Sequence, residues 1–461
     1  MNVFDTIAAV SSPQGKGGVA LLRVSGSDAL AICEKVFVPK NKKRLSELDS
    51  NHMVYGDIYA VDGDGERIDD GMAVVFRAPR SFTGEDTVEI TCHGGLLVTK
   101  EVLTALLAAG ARAAEAGEFT RRAFAAGKMG LSAAEALGSL LEAKTHAALK
   151  LSRSGLDGRL EKKTGELFSE LLSVASALYA AVDYPEEDLA ELPRGTAREK
   201  AADVLERVRT LADTYKSGHA VAEGVRTVIC GKPNVGKSSL FNALIGKDAA
   251  IVTDVAGTTR DVLEQVAVLG KVTLRLYDTA GLHESGDTVE SIGIERAKAV
   301  LGDAEFILAV FDASAPLAEE DRELCRMLET LPVTKFALLN KSDRTSKLTE
   351  EDFCGFDRVI SLSAKEGTGL PLLAEAVESA FFDGELSLTE DAIVANARQH
   401  AALLRCISAL ESTVEAFDLG LAEDICCSGL EEALAALGDV DGREVSEQIV
   451  GEIFSKFCVG K

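Results

Sequence analysis

Apolar and polar positions change rhythm along the chain. Up to about residue 120, short apolar runs (Val19 to Val24, Met72 to Phe76, Val88 to Thr91) alternate with Gly- and Asp-rich turns, and Thr99 to Ala109 has helical spacing. Short apolar runs bounded by turn residues predict strands, so this third is β-rich with a few helices. From about Phe119 to Ala222 the chain turns to Ala, Leu, Glu and Lys, all strong helix formers, with breaks at Asp183–Tyr184–Pro185 and near Pro193. Residues 224 to about 380 alternate apolar strands with amphipathic helices, the mark of a parallel α/β sheet. The predicted strands there are Arg226–Cys230, Val272–Tyr277, Phe306–Asp312, Lys335–Asn340 and Val359–Leu362. Beyond about 385 the helical pattern resumes. The simplest packing joins the two helical stretches into one domain with the α/β module inserted between them. The expected boundaries are 1–118, 119–222, 223–382 and 383–461.

Composition narrows the class. A length of 461 residues suggests about three domains, and 46% apolar content excludes a disordered chain. The formal net charge of −25 argues against sequence-blind coating of nucleic acid, which needs a cationic footprint. RNA held by a local patch or presented by a partner stays open. Basic groups cluster at Lys40, Lys42, Lys43 and Arg44, and along Lys144, Lys150, Arg153, Arg159, Lys162 and Lys163. Such a run is either a stripe near phosphates or a solvated face. No apolar run reaches the roughly 18 residues that span a bilayer, and MNVFDTIAAVSS lacks the basic and apolar regions of a secretory signal. Nine scattered cysteines without a CxxC pair read as reduced thiols. Neither Cys92–His93 nor Cys426–Cys427 supplies enough ligands for tetrahedral zinc. A soluble, cytoplasmic, multidomain protein is expected, without a membrane anchor.

The strongest chemical signal is Gly231-Lys-Pro-Asn-Val-Gly-Lys-Ser238, which follows a predicted strand and opens a predicted helix. Glycines let backbone N–H groups wrap phosphates, and the helix N-terminus favours their charge. Asn234, Val235, Gly236, Lys237, Ser238 and Ser239 are therefore candidate nucleotide contacts, with Lys237 between the β- and γ-phosphates and Ser238 on Mg²⁺. Asp278, Thr279, Ala280 and Gly281 end the next strand, with Asp278 in the Mg²⁺ shell. Asn340, Lys341 and Asp343 end a later one, and the Asp343 carboxylate can accept from guanine N1–H and the 2-amino group, which adenine cannot match. Ser363, Ala364 and Lys365 back the base. Thr253, Asp254, Val255, Ala256, Gly257, Thr258 and Thr259 form the intervening loop, with Thr259 the second Mg²⁺ ligand. Four motifs in this order predict a Ras-like P-loop GTPase module.

The residue after Gly281 is Leu282, where Ras-type proteins place a water-orienting Gln. Asn234 either braces the loop or offers its oxygen to K⁺. In the second case, carbonyls of Thr253, Val255 and Thr258 complete the shell and the ion replaces an arginine finger. For the attacking water, Glu290 can act through a bridging water or stand solvated; His283 competes with it.

Other blocks carry a resemblance: Asp5-Thr-Ile, Gly15-Lys-Gly-Gly-Val, Leu22-Arg-Val-Ser-Gly26, Ser81-Phe-Thr-Gly-Glu-Asp86, His93-Gly-Gly95, Gly117-Glu-Phe-Thr with Arg122-Ala-Phe, Asp254-Val-Ala-Gly-Thr-Thr-Arg-Asp261, Ile292-Gly-Ile-Glu-Arg-Ala297 and Phe457-Cys-Val-Gly-Lys461. Over essentially its full length the chain resembles the MnmE (TrmE) family of tRNA-modifying GTPases. The resemblance implies an N-terminal α+β folate-binding domain of aminomethyltransferase-like fold that forms a homodimer, a discontinuous helical domain, and an inserted Ras-like G domain. It implies K⁺-stimulated hydrolysis as two G domains meet, with Asn234 as K⁺ ligand and Glu290 as the catalytic residue. The FAD-dependent MnmG would be the partner in a hetero-oligomeric complex through which tRNA is mainly held. The pair would add a carboxymethylaminomethyl or aminomethyl group to C5 of the wobble uridine, using a one-carbon unit from tetrahydrofolate (5-formyl or methylene form). Arg23, Glu89, Lys128 and Lys461 would line the folate site, and Cys458, Arg260 and Asp261 would serve modification. The family usually ends Cys-Ile-Gly-Lys; Val459 is a one-methylene change. Gly460 and the final Lys461 make Cys458 a poor prenylation signal.

Three readings compete: a modification enzyme whose GTP cycle drives a conformational step, a regulatory switch in ribosome assembly, and a folate-dependent aminomethyltransferase with an accessory G domain. The N-terminal third discriminates, because an assembly switch has no need of Arg23, Glu89, Lys128 or a Cys-Val-Gly-Lys end.

Overall fold

The computed structural model describes residues 5–13, 15–61, 65–183, 193–246, 264–278, 303–443, 447–455 and 457–460. The chain divides into two compact units, residues 1–138 with 441–461, and residues 139–440. No helix among the described residues is long and apolar enough to cross a membrane.

In the first unit, β1 (Ile7–Val10), β2 (Val19–Ser25), β3 (Phe37–Pro39), β4 (Met53–Tyr59), β5 (Arg67–Phe76), β6 (Thr87–His93) and β7 (Arg112–Ala113) form one sheet, ordered β3-β4-β5-β6-β2-β1-β7. Neighbours are antiparallel except β1 with β7. Side chains alternate between the faces. Leu22 and Val24 of β2, Val75 of β5, and Val88 and Ile90 of β6 are buried with residues of α1 (Ala29–Val36) and α2 (Leu96–Ala108). That alternation leaves Arg23 and Glu89, register partners in β2 and β6, for the other face. A smaller cluster of Ile7, Ala9, Ala114 and Phe119 forms with α3 (Glu118–Ala125). Glu118 and Arg122, nearly fully buried, are paired through Arg112, Asp5 and Glu85, as buried charges must be. Leu131 and Ala134 of α4 (Leu131–Glu142) pack with Phe454 and Phe457, and Val459 bridges to Ala116.

The second unit begins with α5 (His146–Leu156), α6 (Arg159–Asp183), α7 (Arg194–Asp213) and α8 (Tyr215–Ala222). The α/β module follows: β8 (Val225–Cys230), α9 (Lys237–Ile245), β9 (Glu264–Leu269), β10 (Val272–Asp278), β11 (Phe306–Asp312), α10 (Glu319–Glu329), β12 (Thr334–Asn340), β13 (Arg358–Ser361) and α11 (Leu370–Phe381). Then come α12 (Ala397–Asp418) and α13 (Glu423–Asp441). Leu171 and Leu178 of α6, Val208 of α7, Leu403 and Leu410 of α12 and Leu430 of α13 share one core. Helices from both sides of the module thus form one helical body, as the sequence pattern predicts.

The sheet order is β13-β12-β11-β8-β10-β9, parallel except for β9. The five predicted strands fall within one residue of β8, β10, β11, β12 and β13. The sequence reading placed no strand at β9, an edge strand that turns through Gly270, at φ +63°, into β10. Successive connections leave β8 in opposite directions, so the carboxyl ends of the central strands frame a crevice, the usual ligand position in such sheets.

Candidate functional site

β8 runs out at Cys230 into a loop, and α9 starts at Lys237. The loop needs left-handed backbone at Gly231 (φ +144°), Asn234 (φ +64°) and Gly236 (φ +102°). A Cβ at Gly231 or Gly236 would also run into Val310 O or Asn340 Nδ2, so glycine is required at both. Asn is one of the few side chains that tolerate the left-handed backbone at position 234. Lys237 Nζ lies over the loop, donating to Gly231 O (2.8 Å) and Lys232 O (2.9 Å). Ser238 and Ser239 are exposed in the first turn of α9, and the Ser238 hydroxyl makes no hydrogen bond among the described residues.

Neighbouring strand ends hold this loop. Buried Asn340 donates from Nδ2 to Val235 O (2.7 Å) and accepts at Oδ1 from Ala364 N (2.9 Å). Lys341 Nζ donates to Asn234 O (2.9 Å) and pairs with Asp312 Oδ2 (2.6 Å) at the end of β11. Buried Ser363 donates from its hydroxyl to Asp343 Oδ1 (2.8 Å), and that bond holds the exposed Asp343 carboxyl below its ordinary range. An ionised, outward carboxylate beside a phosphate-binding turn is what reading guanine requires. Lys365 is exposed on the same loop. Thus the residues Asn234 to Ser239, Asn340, Lys341, Asp343, Ser363, Ala364 and Lys365 are brought to one end of the sheet. Thr253 to Asp261 (Asp254, Val255, Ala256, Gly257, Thr258, Thr259 and Arg260 among them), Thr279, Ala280, Gly281, Leu282, His283, Glu290 and Lys461 lie outside the described residues, as does the side chain of Asp278.

In the N-terminal unit, Arg23 Nε and Nη2 both donate to Glu89 Oε1 (2.8 and 2.6 Å). The half-buried guanidinium lies 5.1 Å from the Phe82 ring centroid and 5.6 Å from that of Phe119. Lys128 is exposed and donates to Pro79 O (2.8 Å). Exposed Cys458 lines a cavity of about 400 Å³ with Val10, Ser12, Leu103 and Ala114. A larger cavity of about 670 Å³ shares Val10, Ser12 and Leu103 and adds Lys16 and Lys100. The sequence reading gave no role to Phe82, Phe119, Lys100 or Asp312, which acquire their neighbours only through the tertiary fold. Lys16 had one signal, its place in the glycine-rich Gly15–Gly18 turn.

Other candidates have ordinary surroundings. His93 Nδ1 faces Asp69 Oδ1 (2.8 Å) beside Asp70, but Asp70 already pairs with Arg67. The buried Cys92 thiol is pushed up to about 11 by desolvation, and Cys426 and Cys427 lie in the helical core. Lys144, Lys150, Arg153 and Lys162 are exposed, whereas Arg159 donates to Glu390 O and Lys40 pairs with Asp57.

Residues 6–128 match the family described as GTP-binding protein TrmE N-terminus, and residues 131–458 match the MnmE helical domain. A tRNA modification GTPase MnmE from Thermoanaerobacter pseudethanolicus is 40% identical over 463 residues, covering 100% of both chains. One from Lachnoclostridium phytofermentans is 39% identical over 460 residues, covering 99% of each. Among solved structures, the G domain of the T. maritima FeoB iron transporter is 31% identical over 34% of this chain and 98% of its own, with a TM-score of 0.26. With two family matches that span both units and relatives aligned from end to end, the chain belongs to the MnmE (TrmE) family and is a GTPase.

Proposed function

We propose that this GTPase acts in tRNA modification, adding a carboxymethylaminomethyl or aminomethyl group to C5 of the wobble uridine together with the FAD-dependent partner MnmG. One observation carries the reading: the guanine-reading loop braced by Asn340 and Ser363 shares its chain with a unit matching the TrmE N-terminus over residues 6–128. A ribosome-assembly switch would need only the first. The four-part division at 118, 222 and 382 is part of the same proposal, as is a homodimer; exposed Val19, Leu96 and Leu97 support the latter by leaving apolar surface on the N-terminal unit.

Ser238 and Thr259 would hold Mg²⁺, which neutralises charge on the β- and γ-phosphate oxygens; the Ser238 hydroxyl, without a partner among the described residues, suits this. The brace at Asn234 runs through its main-chain carbonyl to Lys341, while its exposed side-chain amide has no partner among the described residues. This supports Asn234, with the carbonyls of Thr253, Val255 and Thr258, as a K⁺ site that supplies the charge an arginine finger supplies elsewhere. Glu290 would position the attacking water in place of the glutamine that Leu282 replaces.

A guanidinium–carboxylate pair beside two phenyl rings offers donors, acceptors and flat apolar walls, which suits a pterin ring. Arg23, Glu89, Lys128 and Lys461 would hold the tetrahydrofolate, the source of the one-carbon unit, and Lys16 and Lys100 suit its glutamate carboxylates. Cys458, Arg260 and Asp261 would serve the modification step, and tRNA would be held mainly through the complex. Two measurements test the proposal. GTP turnover should be at least about tenfold faster in K⁺ than in Na⁺, and equal rates would remove the cation mechanism. Mass spectrometry of tRNA nucleosides from cells lacking the protein should show the wobble modification missing; an unchanged nucleoside profile would remove the modification role.

A further inference from the structure

Lys232 follows Gly231 in the phosphate loop, and its partner belongs to none of the nucleotide motifs. Lys232 Nζ donates to Asp321 Oδ2 at 2.6 Å, and Asp321, on α10, is only 3% exposed. The same oxygen accepts from Ala318 N (2.9 Å), while Asp321 Oδ1 has no hydrogen-bond partner among the described residues. A buried carboxylate with an unused oxygen is costly unless a cation stays beside it, so Lys232 is held there. The main chain of Lys232 has a second task, since its carbonyl is one of the two that carry Lys237 Nζ. Pro233 comes next and restricts the Lys232 backbone to extended conformations. The side-chain anchor and the direction of the carbonyl are therefore coupled through one stiff residue. The other half of the loop is tied by Asn340 at Val235 and Lys341 at Asn234.

We propose that the Lys232–Asp321 ion pair is a positioning device for GTP binding: α10 sets where the first half of the loop sits, and with it the carbonyl that orients Lys237. The inference uses the GTPase assignment alone and is independent of K⁺, folate or tRNA.

The test compares steady-state GTP hydrolysis, fluorescent GDP binding and melting temperature in full-length protein. Asp321→Asn keeps the shape and an acceptor for Ala318 N but removes the charge; Lys232→Met keeps the stem. Each should raise KM for GTP and Kd for GDP about tenfold with kcat within about twofold, and Lys232→Arg should stay within about twofold of wild type. The double variant Lys232→Met/Asp321→Asn removes the orphaned charge and keeps the acceptor for Ala318 N, so its melting temperature should recover while its nucleotide affinity stays low. Unchanged KM in both single variants, or affinity that recovers with melting temperature in the double variant, would show a merely structural pair and overturn the proposal.

Discussion

At Asp343, the proposed base-reading group, one hydrogen bond sets the charge state. The Ser363 hydroxyl, itself fully buried, keeps the carboxyl ionised to lower pH than an ordinary aspartate. In the proposed base recognition the charged form accepts both guanine donors, so affinity should be complete above the Asp343 pKa and be lost as pH falls through it. Ser363→Ala should therefore move the acid limb of GDP binding upward, toward the ordinary aspartate value of about 3.9, with affinity at pH 7.5 changed less than about threefold. Binding titrations at descending pH would read this; an unmoved limb would mean that Ser363 only packs. The two motifs were legible in the sequence, because the spacing within each is local and guanine chemistry names the residue types, but the bond between Asp343 and Ser363, 20 positions apart, was not.

At the scale of elements, α8, the strand pair β8–β11 and α12 meet at a joint with no local sequence signal. Glu305 accepts from Arg226 N (2.9 Å) and faces His219 Nε2 (3.2 Å), while Tyr215 stacks on His400 at 4.1 Å between ring centroids. Burial pushes the Glu305 carboxyl up, but the bonds from His219 and Arg226 N outweigh it and hold the value at about 2, from 4.5 unfolded. A carboxyl that ionises more readily in the folded state stabilises fully above pH 4.5, and that contribution disappears as pH drops toward 2. Glu305→Gln should cost roughly 1–2 kcal/mol at pH 7, discounted for partial exposure, and should flatten the acid-unfolding curve between those values. Denaturant melts at pH 7 and pH 3 would test it; equal losses at both would rule out the charge. His219 and Glu305 lie 86 positions apart, so no periodicity announces them.

At the scale of the molecule, the C-terminal tail reaches back to the first strand. Ser11 Oγ donates to Gly460 O (2.8 Å), and Gly460, at φ +97°, sits where a Cβ would collide with Val10 O. Gly460→Ala should dislodge the segment that carries Cys458. Hydrolysis, assigned by the proposal to residues of the other unit, should stay within about twofold of wild type, while the proposed wobble modification in complemented cells falls below about a tenth. Parallel loss of both activities would show global unfolding instead.

Local physics was enough for much of this protein. The rhythm of apolar residues marks β8 and β10 to β13 within one residue, because burial on a parallel sheet requires continuous apolar runs. The glycines and Asn234 mark the phosphate loop, because only such residues accept its left-handed turns. What the tertiary structure alone decided is which distant groups meet: Arg23 with Glu89, Lys232 with Asp321, His219 with Glu305, and Gly460 with Ser11. Those meetings depend on strand register and on the seating of each helix, and a change of one residue in register turns a side chain to the opposite face, so no local pattern encodes them.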